Sequence, residues 1–166
     1  MLAKGRDVKR SSRRPTIYLR ENVPTEVGRG FRRQGFPVTV IDDDPVLCSR
    51  DNETLLARLY QVNGVLVTRD ELLYATVAGS RPHLQHAGVI IIPVAYPADQ
   101  LVRLTYLIAR WYRAATISSP FGGRNRLLYP GKEGLRVLDN TADIGTRDQL
   151  AFPWSWWEMD DNQGQA

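Results

Sequence analysis

The chain has 166 residues, of which 43% are hydrophobic and 24% charged, enough for one globular domain with a real core. No apolar run approaches the roughly 20 residues that cross a bilayer, so no membrane association is expected. Cys48 is the lone cysteine, which excludes an intrachain disulfide and two-cysteine metal sites; a cytoplasmic location is the simplest expectation.

The net charge of +4 is unevenly spread. Residues 1–14 carry Lys4, Arg6, Lys9, Arg10, Arg13 and Arg14 against Asp7 alone. This head lacks the apolar run of a signal peptide. It has no aromatic residue to stack on bases, so a solvated, disordered leader is expected there rather than a phosphate-binding arm.

Ile17-Tyr18-Leu19 predicts a short buried strand. Pro24 suits the first turn of a helix running to Gln34 and stopped by Gly35. Phe36–Ile41 is rich in β-branched residues and predicts a second strand, followed by the acidic turn Asp42-Asp43-Asp44-Pro45. Asp51 or Asn52 can cap a helix with Leu55, Leu56, Leu59 and Tyr60 on one face, closed by Gly64. Val65–Thr68 predicts strand three.

Thr68 and Glu71 have the spacing of a capping box, so a short helix follows. Residues 79–86 are expected to be loop. Gly88–Val94 is the most apolar strand. Pro97 opens an amphipathic helix with Leu101, Leu104, Ile108 and Trp111 on one face and Arg103, Arg110 and Arg113 elsewhere.

Strands alternating with helices predict a parallel sheet covered on both faces. The expected fold is therefore α/β: a three-layer α/β/α domain over residues 15–115, with a mainly parallel sheet of four to five strands. Residues 116–166 are Gly- and Pro-broken and predict an irregular extension, with Leu135–Asp139 as an added edge strand. The Trp154, Trp156 and Trp157 cluster is expected to dock on this domain or on a partner.

In open parallel sheets, function sits outside the carboxyl ends of the strands. There this sequence places Arg20-Glu21-Asn22, Asp42-Asp43-Asp44 and Thr68-Arg69-Asp70-Glu71, with Asp51 and Glu53 at the start of the intervening helix. Carboxylates gathered at one sheet edge suit a hard divalent cation, which can activate water against a phosphodiester.

Leu19-Arg20-Glu21-Asn22-Val23-Pro24 resembles the L-D-E-N-x-P opening of a PIN-like family of small prokaryotic proteins. The resemblance continues in order through Gly35-Phe36-Pro37-Val38, an acid at Asp51 or Glu53, Leu66-Val67-Thr68-Arg69-Asp70, and His86-Ala87-Gly88-Val89-Ile90. It covers roughly residues 15–115. It implies a metal-dependent ribonuclease, often the toxin half of a toxin–antitoxin pair, with Mg²⁺ or Mn²⁺ as cofactor. The carried-over site would be catalytic Asp70, Glu21 and Glu53, with Asp70, Glu21 and Asp51 as metal ligands.

Two positions depart from that pattern. The family's opening Asp is Arg20, and a second expected acid is Leu72. A fixed cation about 5 Å from a divalent ion opposes its binding by several kcal/mol, and a guanidinium stays charged. The leading expectation is thus an eroded metal site, with Arg20 pairing with Asp70. Such a protein acts by binding nucleic acid or an antitoxin-like protein, with Arg20, Arg69, Arg32 and Arg33 as candidates for RNA contact. An active ribonuclease is the rival, and an assembly role the third possibility; homo-oligomerisation stays open.

Three other features carry less. Gly28–Arg33 lacks the third glycine of a dinucleotide fingerprint and predicts a solvated basic helix face. His83 and His86 have no cysteine or acid beside them, which disfavours zinc. Cys48 has no base nearby in sequence and is not expected to be a nucleophile.

Overall fold

A computed structural model describes residues 14–48, 51–79, 84–141 and 145–155. The chain is α/β, with strands β1 (Thr16–Leu19), β2 (Val38–Val40), β3 (Gly64–Thr68), β4 (Val89–Ile91), β5 (Arg126–Pro130), β6 (Gly134–Thr141) and β7 (Gly145–Pro153). The helices are α1 (Thr25–Arg33), α2 (Asn52–Gln61), α3 (Leu72–Gly79) and α4 (Leu101–Ala115). All seven strands form one mixed sheet, ordered β2-β1-β3-β4-β5-β6-β7. Pairings from β2 through β5 are parallel, and those of β5–β6 and β6–β7 are antiparallel.

Alternation along the strands sorts the core into two layers. Ile17, Leu19, Val65, Val67 and Ile90 point to the face covered by Val27 and Phe31 of α1 and Leu104 and Ile108 of α4. Leu66, Val89 and Ile91 point to the other face, under Leu55, Leu56 and Leu59 of α2 and Leu73 and Val77 of α3. Each such buried side chain contributes about 1.5–3 kcal/mol.

Placing α4 beside α1 has a topological cost. The β1–α1–β2, β2–α2–β3 and β3–α3–β4 connections share one hand, whereas β4–α4–β5 steps the same way along the sheet as α2 and α3 but over the opposite face. Parallel crossovers almost always share a single hand, so this connection is a departure. A close helix contact accompanies it: a Cβ on Gly30 of α1 would stand 2.7 Å from Thr105 Cγ2 of α4.

Several boundaries differ from expectation. Pro24 is the N-cap of α1 rather than part of its first turn. Gly35, at φ +83, turns the chain out of the helix, a conformation that favours glycine. β2 keeps three residues because Ile41–Asp43 tightens into a 3₁₀ turn. Gly64 begins β3, and Asn63, at φ +53, makes the turn before it. Pro97 caps a 3₁₀ turn, Ala98–Gln100, that precedes α4.

The capping box does not form. Thr68 Oγ1 accepts the Asp70 N–H at 3.1 Å, and Asp70 Oδ1 accepts the Leu72 N–H at 3.0 Å. Asp70 thus takes the first N–H of α3, and the helix begins at Leu72, later than the spacing predicted.

The C-terminal stretch is the largest correction. It is not irregular: residues 126–153 supply three strands, so the sheet has seven strands rather than four or five and is mixed. The Gly and Pro residues mark a tight turn, with Gly131 N–H donating to Gly134 O at 2.8 Å, and a register shift lies at Leu135/Arg136. The segment expected as an edge strand is interior, between β5 and β7.

Trp154 docks on the domain: its Nε1 donates to Gly131 O at 3.0 Å and its ring lies 6.5 Å from that of Tyr96. Arg14 joins the fold as well, donating to Gln34 O and lying over the Phe36 ring. The rest of the basic head, His83, Trp156 and Trp157 lie outside the described residues. No helix among the described residues is long and apolar enough to cross a membrane.

Candidate functional site

β1 and β3 run parallel with Leu19 level with Val67, so both strands end together. Arg20 stays attached there, its N–H donating to Val67 O at 3.0 Å. Thr68 ends β3 and Asp70 lies just beyond it. The start of α2 rises over the same edge and adds Asp51 and Asn52. Arg20, Glu21, Asn22, Asp51, Asn52, Thr68 and Asp70 together line an open cleft of about 600 Å³.

A hydrogen-bonded chain crosses the cleft. Arg20 Nη2 donates to Asn52 Oδ1 at 2.7 Å, and Asn52 Nδ2 donates to Asp70 Oδ2 at 3.3 Å. The expected direct pairing of Arg20 with Asp70 is therefore replaced by a relay. An amide can serve both charges because it carries an acceptor and donors on one group. Asp70 Oδ1 is held by Leu72 N–H, so backbone on one side and amide on the other fix the carboxylate.

Asp51 has a different task. It is the N-cap of α2, accepting Thr54 N–H at 2.8 Å and Thr54 Oγ1–H at 3.0 Å. The backbone bond first, and the hydroxyl second, hold its carboxyl below the usual carboxylate range. Glu21 is exposed on the cleft rim. Glu53 is exposed in the first turn of α2 and does not line the cleft.

Three sets of predicted residues are not brought together here. Arg69 turns away to donate to Pro93 O at 3.1 Å and Val94 O at 2.8 Å, fastening the end of β3 to the segment after β4. Arg32 and Arg33 are exposed in the last turn of α1, just before the chain enters β2, at the opposite end of the sheet. Asp42 and Asp43 are exposed in the 3₁₀ turn after β2 and do not line the cleft.

The residue missed by sequence reasoning is Asn52. It was visible only as a competitor of Asp51 for the cap. Once one of two adjacent polar residues caps a helix, the other is free to reach along the sheet edge.

The divalent cation implied by the resemblance does not fit this donor set. Both Asp51 oxygens are engaged by Thr54, both Asp70 oxygens accept hydrogen bonds, and a guanidinium stands in the cleft. Among the described residues, no group of three or more His, Cys, Asp or Glu side chains is arranged to hold a metal ion. No family model, no curated protein and no solved structure matches the chain.

Proposed function

We propose that this chain is a PIN-like domain whose strand-end cleft has lost metal-dependent hydrolysis and that it acts by binding a macromolecule, nucleic acid or an antitoxin-like protein. The Arg20–Asn52–Asp70 relay carries this reading. It puts a permanent positive charge and a neutral amide where a nuclease needs negative oxygen ligands. The mutually parallel run β2-β1-β3-β4-β5, with sites at its carboxyl edge, suits a PIN-like layout to which β6 and β7 are added.

One observation favours the rival, a Mg²⁺- or Mn²⁺-dependent ribonuclease: Glu21, Asp51 and Asp70 share one cleft. Incubating the protein with single-stranded RNA and Mn²⁺ separates the two. No cleavage above a metal-free control is expected. Cleavage abolished by Asp70→Asn would favour the nuclease and end the binding-only proposal. Titration calorimetry gives an independent check: Arg20→Asp, which removes the cation and adds a carboxylate, is expected to take up Mn²⁺ more tightly than the natural sequence. Equal uptake by both would remove the assigned cause of erosion.

A further inference from the structure

The two helical layers differ sharply in charge. α1 and α4 carry Arg29, Arg32, Arg33, Arg103, Arg110 and Arg113 against Glu26. On the other face, α2 and α3 carry only Glu53 and Arg58. The positive charge on the first layer is all guanidinium; Lys4, Lys9 and Lys132 are the only lysines in the chain, and none lies on these helices. Guanidinium groups match phosphate oxygens with paired donors, which an ammonium does not.

The geometry concentrates this charge along one seam. Gly30 meets Thr105, and Val27 and Phe31 point into the core. At about 100° per residue, Arg29 and Arg33 therefore fall on the solvent flank of α1 beside the seam, with Glu26 as the one acid on that flank of the helix. By the same count Val102, Tyr106 and Arg113 fall on the solvent flank of α4 next to Thr105. Tyr106 is 43% exposed and Val102 60%. Arg29, Arg33 and Arg113 form no ion pair among the described residues. Arg110, stacked over Phe152 at 5.8 Å, carries the basic surface on toward β7.

We infer that the α1–α4 seam docks the phosphate backbone of a single-stranded nucleic acid, with Tyr106 as a stacking platform for an unpaired base. This specifies the partner of the binding domain proposed above, and locates it away from the cleft. Charge complementarity supplies the attraction, and an exposed ring among guanidinium groups is the arrangement that holds unpaired bases without sequence choice. A duplex keeps its bases stacked on each other and offers Tyr106 nothing. RNA and DNA strands share this chemistry, so both are assayed.

The test is fluorescence anisotropy with labelled single strands of RNA and DNA and the matching duplex, using the full chain. Affinity for single strands is expected to fall on the order of 50-fold between about 50 and 200 mM salt, as for roughly four neutralised phosphates. The triple variant Arg29→Gln, Arg33→Gln, Arg113→Gln is expected to lose at least about 10-fold in affinity, and its salt slope to fall by about 2. Tyr106→Ala is expected to weaken single-strand binding by about 5-fold or more with the slope unchanged, and to leave duplex binding alone. Circular dichroism and the thermal midpoint check that each variant folds.

A control variant, Lys4→Gln with Arg6→Gln, is expected to bind within about 2-fold of the natural sequence if the head makes no phosphate contact. Four results would overturn the inference: no binding by the natural sequence, a triple variant that binds normally, binding that follows the head variant, or equal competition by polyglutamate, which would point to an acidic protein. Asp70-dependent cleavage of the same RNA would instead strike the non-hydrolytic reading and leave the docking face standing.

Discussion

Asn52 binds a cation with one end of its amide and a carboxylate with the other. Replacing it by alanine leaves Arg20 without its acceptor and Asp70 with one donor fewer. Asn52→Ala is therefore expected to cost about 1 kcal/mol in urea unfolding, the value of an ordinary hydrogen bond and below the range for charged partners because the cleft is open to water. Asp51 gives a pH signature. Its folded carboxyl sits below the usual range because Thr54 donates to the ionised form. A depressed carboxyl stabilises the fold above its unfolded value, about 3.9, and that contribution is lost as pH falls through the lower folded value. The thermal midpoint of the natural sequence is expected to fall more than that of Asp51→Ala on going from neutral pH to below both values. At this scale the sequence was informative about position and misleading about partnership, suggesting a direct Arg20–Asp70 pair where Asn52 stands between the two. Arg20, Asp70 and Asp51 could be put at one sheet edge because strands end where apolar runs end. Which of Asp51 and Asn52 would cap, and what the other would touch, depends on an element 18 residues away and has no local signal.

Among the elements, β1 and β3 were legible as short apolar runs, and α4 by the helical period of its apolar stripe. Of the C-terminal strands, β6 was legible in its middle, Leu135–Asp139, though not its interior place in the sheet; β5 and β7 were not, because Pro130, Gly131 and Gly134 read as breakers when they in fact build a tight hairpin turn. The Thr68–Glu71 spacing misled for a related reason: a short-range pattern does not say which of two hydrogen-bonded turns will form. Trp154 tests the role of the last strand. Trp154→Ala removes the bond to Gly131 O and the contact with Tyr96; a loss of about 2 kcal/mol is expected in denaturant unfolding for this half-buried ring. The helix pair offers another test. Gly30→Val forces a side chain against Thr105, so a loss of about 1–3 kcal/mol is expected, with a weaker grip on single-stranded RNA as the seam opens.

For the molecule as a whole, the C-terminal strands belong to the folding unit. Leu135, Val137 and Leu138 of β6 are buried in the two core layers, and Asn140 Nδ2 donates to Val77 O of α3 at 2.7 Å. A chain ending at Glu133 is accordingly expected to lose the sharp cooperative thermal transition of the full chain, read by circular dichroism. A truncated chain that still unfolded cooperatively would make β6 and β7 an appendage. The unusual hand of the β4–α4–β5 connection has an effect that reaches beyond the sheet. Had it followed the other three connections, α4 would lie with α2 and α3, and its arginines would offset those of α1 across the sheet. Instead the guanidinium groups of α1 and α4 gather over one face of the sheet, and among the four helices the positive field is concentrated there. A polyanion approaching through dilute salt would feel that field before any contact forms, and the protein would be turned face-on during the encounter.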